Sequence, residues 1–220
     1  AAEDTRRTAR LLSHYTIPTP TISFHEHSVR ARLPQLLSRL QAGNNIAVVT
    51  DAGTPGVSDP GIELVDACVK AHIAVDAIPG PSAPLTAAMA SGFPIIPLTI
   101  LGFPPRRSKD RKSWFTDILA ISHTVSFFES PHRIAMTLAD AADVLGERPI
   151  ALGRELTKRH QEIIRGTASE VRTQIGQPKG EITVIIGPEN KPHSAHDQFS
   201  GATAVAMAVE RFGQLTNTGH

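Results

Sequence analysis

The chain has 220 residues, 40% of them hydrophobic, which suits one compact α/β protein or two small lobes with a buried core. Its 22 Lys and Arg against 21 Asp and Glu leave a formal charge of +1, so total charge argues for neither a nucleic-acid nor a membrane partner. A single cysteine, Cys68, excludes an internal disulfide and an all-cysteine zinc cluster and fits a reducing, cytoplasmic setting. No run approaches the roughly 20 apolar residues of a membrane span, and Ala1 to Arg7 lacks the apolar stretch of a signal peptide, so neither membrane insertion nor secretion is expected.

Val29, Leu33, Leu36, Leu37 and Leu40 recur at helical spacing over residues 28–42, with Ser28 placed to cap the helix and Gly43 to end it. The apolar run Ile46 to Thr50 reads as a buried strand that empties into a Gly- and Pro-rich loop, residues 51–61. A helix over 62–72, a strand over 73–78, a second loop Pro79-Gly80-Pro81-Ser82-Ala83 and an alanine-rich helix ending at Ser91-Gly92 continue the rhythm of a parallel sheet. Pro97 to Pro105 closes this regime, and five basic residues stand against one acid over 106–112, so a domain boundary is expected near residue 104. Strands over 124–128, 150–154, 162–165 and 181–186, with helices over 133–145 and 169–175, predict a mixed sheet, because two strands follow one another directly. The expected organisation is a first domain over 1–103, a second over 104–188, and a polar tail over 189–220 with a short helix over 202–212.

The loop after the first apolar run is the sharpest feature. Gly and Pro at the end of a parallel strand allow close backbone approach to a ligand, and Asp51 and Asp59 are able to accept hydrogen bonds from hydroxyl or amino groups; the plainer reading is that they cap turns. Neither a phosphate loop nor G-x-G-x-x-G is present, which demotes triphosphate hydrolysis and dinucleotide binding. Ser82 sits where it either presents helix-start amides to a ligand or simply caps the helix. His25-Glu26-His27, read on a strand, offers two imidazoles without further ligands nearby, so polar contacts at a substrate entrance are favoured over metal and no metal is assigned. Cys68 reads as core. Basic residues gather at Arg6-Arg7-Arg10, at 106–112 and at Arg154-Lys158-Arg159, either as solvated surface or as flexible loops gripping phosphates. Phe103, Trp114 and Phe115 beside the middle run serve either to stack on bases or to anchor the second domain.

Taken in order, Glu3-Asp4-Thr5-Arg6, His25-Glu26-His27, Thr50 to Pro55, Ser58-Asp59-Pro60-Gly61, Pro79 to Ala83, Phe128 to Arg133, Arg154 to Lys158 and Gly180-Glu181 closely resemble the small-subunit ribosomal RNA methyltransferase I branch of the tetrapyrrole methylase superfamily, from residue 1 to about 188. The resemblance implies a two-domain α/β enzyme, with a mostly parallel sheet in the first domain and a mixed sheet in the second. It also implies S-adenosyl-L-methionine in the cleft between them, methylation of a cytidine ribose 2′-hydroxyl in 16S ribosomal RNA, and a homodimer in the bacterial cytoplasm. Carried over residue by residue, Asp51, Ala52, Gly53, Pro55, Asp59, Ser82, Ala83 and Phe128 would bind the cofactor. Glu129, Glu155 and Lys158 would carry catalysis, with His25 a further candidate for the base and Arg154 for stabilising the alkoxide. Arg6, His25, His27, Arg106, Arg107 and Arg154 would face RNA. Members usually begin with a strand and a G-T-P-I-G-N-L type loop that does not precede Ala1, so a shortened amino terminus is expected. A corrin or porphyrin ring methyltransferase, against which the basic runs weigh, and an inactive RNA-binding fragment are the alternatives.

Overall fold

Residues 1–189 are described by the computed structural model, and the expected tail helix over 202–212 lies outside them. The Asp4 carboxylate accepts the Arg6 backbone N–H at 2.8 Å and so opens α1 (Thr5–His14). That helix escaped the sequence reading because Thr8 alone is buried along it, too faint a stripe to register. The next helices follow the predicted spans to within about two residues: α2 (Val29–Gln41), α3 (Ile62–Lys70) and α4 (Ala83–Ser91). Gly43, at φ +86°, terminates α2 as expected. Ser28 does not cap it; its hydroxyl bonds back to the backbone of His25 and closes a turn. His25, Glu26 and His27 therefore lead through a turn into α2 and do not lie on a strand. Phe24, Val29, Leu36, Leu64 and Cys68 form a small core beneath α2 and α3, so the thiol packs as the sequence suggested.

Two predicted strands are corrected. Residues 46–50 form one isolated parallel bridge, Val49 to Ala2, and residues 73–78 form none; Val75 and Ile78 are exposed. An apolar run becomes a strand only when neighbours satisfy its N–H and C=O groups. Among the described residues the isolated parallel bridges of this region both fall on Ala2, to Ser23 and to Val49.

The regular sheet is built from β1 (Leu98–Ile100), β2 (Thr124–Glu129), β3 (Ile150–Arg154), β4 (Glu162–Gly166) and β5 (Ile182–Ile186), in the order β1-β2-β5-β3-β4. β1 runs parallel to β2 and every other pairing is antiparallel, so the expected mixed sheet is present. β1 was missed; three residues carry little periodicity, and its partner lies more than twenty residues later. It also lies on the amino-terminal side of residue 104 while pairing with strands beyond it.

Strand alternation sorts the two faces. Val125, Phe127, Ile150, Leu152, Ile182, Val184 and Ile186 pack with Phe115, Ile118, Ile134, Leu138 and Val171 of α5 (Ser108–Leu119), α6 (Ile134–Leu145) and α7 (Ala168–Gln174). Ala151 and Ile185 on the opposite face receive Ala87 and Ala88 of α4, whose carboxyl end is tied to β4 through Arg165 Nε on Ser91 O at 3.0 Å. Buried Arg148 gathers the carbonyls of Ile118, Ile121, His123 and Gly187, satisfying four acceptors where chain segments meet.

The stretch over 106–112 is not a flexible basic loop. From Ser108 onward it is α5, and Arg111 is 3% exposed, its Nε 2.8 Å from Asp140 Oδ2, while Ser108 Oγ donates to Asp140 Oδ1 at 2.9 Å. Lys112 reaches Asp143 at 2.6 Å. Arg106, Arg107 and Lys109 remain exposed. Trp114 and Phe115 are core anchors, each ring within 6.0 Å of Phe127, which removes them as base-stacking groups.

Candidate active site

A cleft of about 340 Å³ opens where the 51–61 loop and the entry to α4 face the ends of β2 and β5. Asp51, Ala52, Gly53, Thr54, Ser58 and Asp59 line one side and Pro81 to Pro84 adjoin them. Phe103, Phe128, Glu129 and Gly180 to Thr183 close the other side, and Glu3 completes the rim. The loop holds its shape through left-handed backbone at Gly53, Gly56, Ser58 and Gly61. Thr54 Oγ1 donates to Pro81 O at 2.9 Å and latches the two loops together, a contact no local pattern signals. Ser82 does cap α4, its hydroxyl accepting from Leu85 N–H, while it also lines the cleft. Of the residues expected to bind cofactor, Asp51, Ala52, Gly53, Asp59, Ser82, Ala83 and Phe128 line this space; Pro55 does not, lying behind the loop against Gly61.

The sheet supplies the opposite wall. Phe128, Thr183 and Gly153 are register partners across β2, β5 and β3. Phe128 meets exposed Phe103 with ring centroids 5.5 Å apart. One residue along β2 the side chain points the other way, and this reassigns Glu129. Its fully buried carboxylate accepts from Ser130 N–H (2.7 Å) and Thr137 Oγ1 (2.7 Å) and pairs with Arg133 (3.2 Å), so it fastens the start of α6 and has no lone pair turned to a substrate proton.

Glu155 and Lys158, the other two expected catalytic groups, stand outside the lining residues and brace them. Glu155 Oε1 accepts from Lys158 Nζ (2.8 Å) and from Glu181 N–H (3.0 Å), and the same ammonium reaches Glu181 Oε2 at 2.9 Å. Hydrogen bonds from Lys158 and from the Glu181 amide hold the Glu155 carboxyl below its usual pKa, and hydrogen bonds to Glu155 and Glu181 hold the Lys158 ammonium above its own, so both stay charged and neither suits a proton-accepting role at neutral pH. Gly180, at φ +85°, leaves no room for a side chain; a Cβ there would stand 2.2 Å from Glu155 Oε1.

Five acidic residues line the cleft, Glu3, Asp51, Asp59, Glu129 and Glu181, the carboxylate of Glu129 alone among them being turned toward α6. Glu3 accepts the Asp51 N–H at 3.0 Å, and Asp51 pairs with Arg7 at 3.3 Å. Burial, reinforced by Glu3, Asp51 and Glu181, pushes Asp59 up to about 6 from 3.8. In the sequence Glu3 and Glu181 appear only within the runs that carry the resemblance and Arg7 only within a basic run; only folding brings residues 3, 7, 51, 59 and 181 to one place.

The residues expected to face RNA are dispersed. Exposed Arg6 pairs with Asp4 at 3.0 Å, and Arg154 pairs with Glu162 at 2.8 Å. His25 and His27 have ring centroids 6.1 Å apart beside α2, and none of Arg6, His25, His27, Arg106, Arg107 or Arg154 lines the cleft. No helix among the described residues is long and apolar enough to cross a membrane.

Comparison with known proteins adds a family. The family described as tetrapyrrole (corrin/porphyrin) methylases matches residues 1–172. A protein named ribosomal RNA small subunit methyltransferase I from Synechocystis sp. is 41% identical over 214 residues, covering 94% of this chain and 77% of its own. Proteins of the same name from Micromonospora olivasterospora (41% over 212 residues; 95% of this chain, 68% of theirs) and Thermotoga maritima (42% over 187 residues; 84% of each) are similar. The crystal structure of the methyltransferase CobJ superposes with a TM-score of 0.56 at 17% identity, covering 84% of this chain and 87% of that one, a likeness of fold alone.

Proposed function

Since the chain belongs to the tetrapyrrole (corrin/porphyrin) methylase family, we propose that its cleft binds S-adenosyl-L-methionine and that the protein methylates the ribose 2′-oxygen of a cytidine in 16S ribosomal RNA. The observation that carries this reading is the 41% identity, over 94% of the chain, to a relative named for small-subunit ribosomal RNA methylation.

The cleft fits such a methyl donor. Its volume of about 340 Å³ falls in the range of small-molecule sites, and its apolar walls at Ala52, Ala83, Phe103 and Phe128 suit an adenosine. Glu3, Asp51 and Glu181 give it the negative lining that a sulfonium and an ammonium group favour. When bound, S-adenosyl-L-methionine supplies an electrophilic methyl group. Asp51 to Gly53, with Ser82, Ala83 and Phe128, would hold it; Thr54 keeps the two loops in register. Glu155 and Lys158 keep Gly180 and Glu181 at the rim, and Glu129 anchors the strand that presents Phe128. Exposed Phe103 stands at the mouth a few residues before exposed Arg106 and Arg107, an arrangement suited to a splayed nucleotide and its phosphates. Arg6, His25, His27 and Arg154 enter the proposal as outlying RNA contacts. The reading also carries a homodimer in the bacterial cytoplasm, which sedimentation and fractionation check.

Incubation with labelled S-adenosyl-L-methionine and small ribosomal subunits, followed by nucleoside mass spectrometry, tests it. The expected product is 2′-O-methylcytidine. Label on a porphyrin or corrin with none on RNA would instead support ring methylation.

A further inference from the structure

We infer that Asp59 is the group that takes the proton from the substrate hydroxyl as the methyl group is transferred, a role that rests on the methyl-transfer reading above.

A proton acceptor needs a lone pair that nothing else holds, a place on the reacting cavity, and a basicity matched to neutral pH. Of the five acidic residues that line the cleft, Glu129 has three donors and is turned toward α6, while Glu181, Asp51 and Glu3 each have one oxygen engaged, by Lys158, Arg7 and the Asp51 amide. Asp59 accepts no hydrogen bond and forms no ion pair among the described residues. It is nevertheless held in place. Ser58 before it has φ 62°, Pro60 after it fixes its own backbone angle, and Gly61 packs against Pro55, Gly56 and Val48 before α3 begins. Ser58 Oγ would be 3.6 Å from a Cβ on Gly102, so this turn approaches the segment bearing Phe103 across the cleft. Asp59 thus combines a fixed position with unoccupied oxygens.

The charges around it set its basicity. Glu3 precedes α1, Asp51 shares its loop, and Glu181 precedes β5; Arg7 on α1 offsets Asp51 and Lys158 offsets Glu181. Partial burial and the three acids raise its proton affinity to about 6, high enough to accept a proton well and low enough to be ionised near neutrality. In the step itself the O–H bond breaks, its electron pair staying on oxygen and its proton passing to an Asp59 carboxylate oxygen. The oxygen forms a bond to the methyl carbon, and the carbon–sulfur bond of the sulfonium donor breaks with its pair returning to sulfur, leaving a neutral thioether.

The test uses the full chain and Asp59→Asn. Carboxyl carbon NMR, with the Asp59 signal identified by its loss in the variant, is expected to titrate near 6; a midpoint below about 4.5 overturns the inference. Calorimetry with S-adenosyl-L-methionine should give affinities within threefold of each other, whereas a tenfold loss would make Asp59 a donor-binding group and overturn it. Transfer to small-subunit RNA should fall by about 100-fold or more, the scale of general-base catalysis, and lose the wild-type rise in rate through pH 6. Retention of more than a tenth of the rate refutes it. A wild-type chain that binds the donor but leaves RNA unmethylated sinks the RNA reading, whereas a wild type that methylates RNA alongside an Asp59→Asn variant that keeps its rate sinks the Asp59 role alone.

Discussion

Replacing Gly180 with alanine tests whether the Glu155–Lys158–Glu181 network holds the cleft wall. The added Cβ would stand 2.2 Å from Glu155 Oε1, 2.3 Å from Cδ and 2.6 Å from Cγ, so Glu155 must leave its place. Left-handed backbone at φ +85° costs an alanine about 1 kcal/mol. Losing the Glu155 bonds to the Glu181 amide and to half-exposed Lys158 adds about 1 kcal/mol once solvent screening is discounted. The sum of about 2 kcal/mol corresponds to a fall in Tm of roughly 4–8 °C for a protein of this size. Gly176 is the control: it has φ +60° with nothing within 4 Å of a Cβ, so its alanine variant carries the backbone strain alone, about 2–4 °C. Scanning calorimetry on both, with S-adenosyl-L-methionine titrations, reads the difference. If the two variants melt together and bind the donor equally, the network does not support the wall.

Arg111→Ala should destabilise by about 3 kcal/mol or more, because it leaves Asp140 buried with only Ser108 close by and Lys112 at 3.8 Å; a loss under about 1 kcal/mol in urea denaturation would mean that α5 is held by its apolar face alone. Stability should also report on Asp59. An acid whose folded proton affinity is raised to about 6 from 3.8 binds more protons folded than unfolded between those values, so its contribution worsens as pH climbs through that window and stays unfavourable above it. Asp59→Asn should therefore melt higher than the wild type at about pH 8, by about 1 kcal/mol after discounting screening in the open cleft, and match it near pH 4. An equal gap at both pH values contradicts that assignment.

Much of the second half was legible because its elements advertise themselves locally. Strands such as Ile182–Ile186 and Ile150–Arg154 are short apolar runs between turn residues, and Thr167 with Glu170 forms the capping box that starts α7. The same rule misled over 46–50 and 73–78, since apolarity records a wish for burial while a ladder requires partners. Composition likewise made 106–112 look like a mobile basic loop, when Asp140, almost thirty residues on, neutralises Arg111 inside the protein.

The Gly- and Pro-rich loop and the capped entry to α4 were readable as a binding surface, because the backbone freedom of Gly and the fixed angle of Pro belong to the residues themselves. Which carboxylate does what was not. Glu129 and Phe128 are neighbours in sequence, yet the sheet aims one at α6 and the other into the cleft. Asp59 looked like any acid before a proline; its character comes from Glu3, Asp51 and Glu181, brought near it by three separate segments of the chain. Local sequence determined the loops and most helices and strands, whereas charge, burial and proton affinity depend on distances that only the tertiary structure decides.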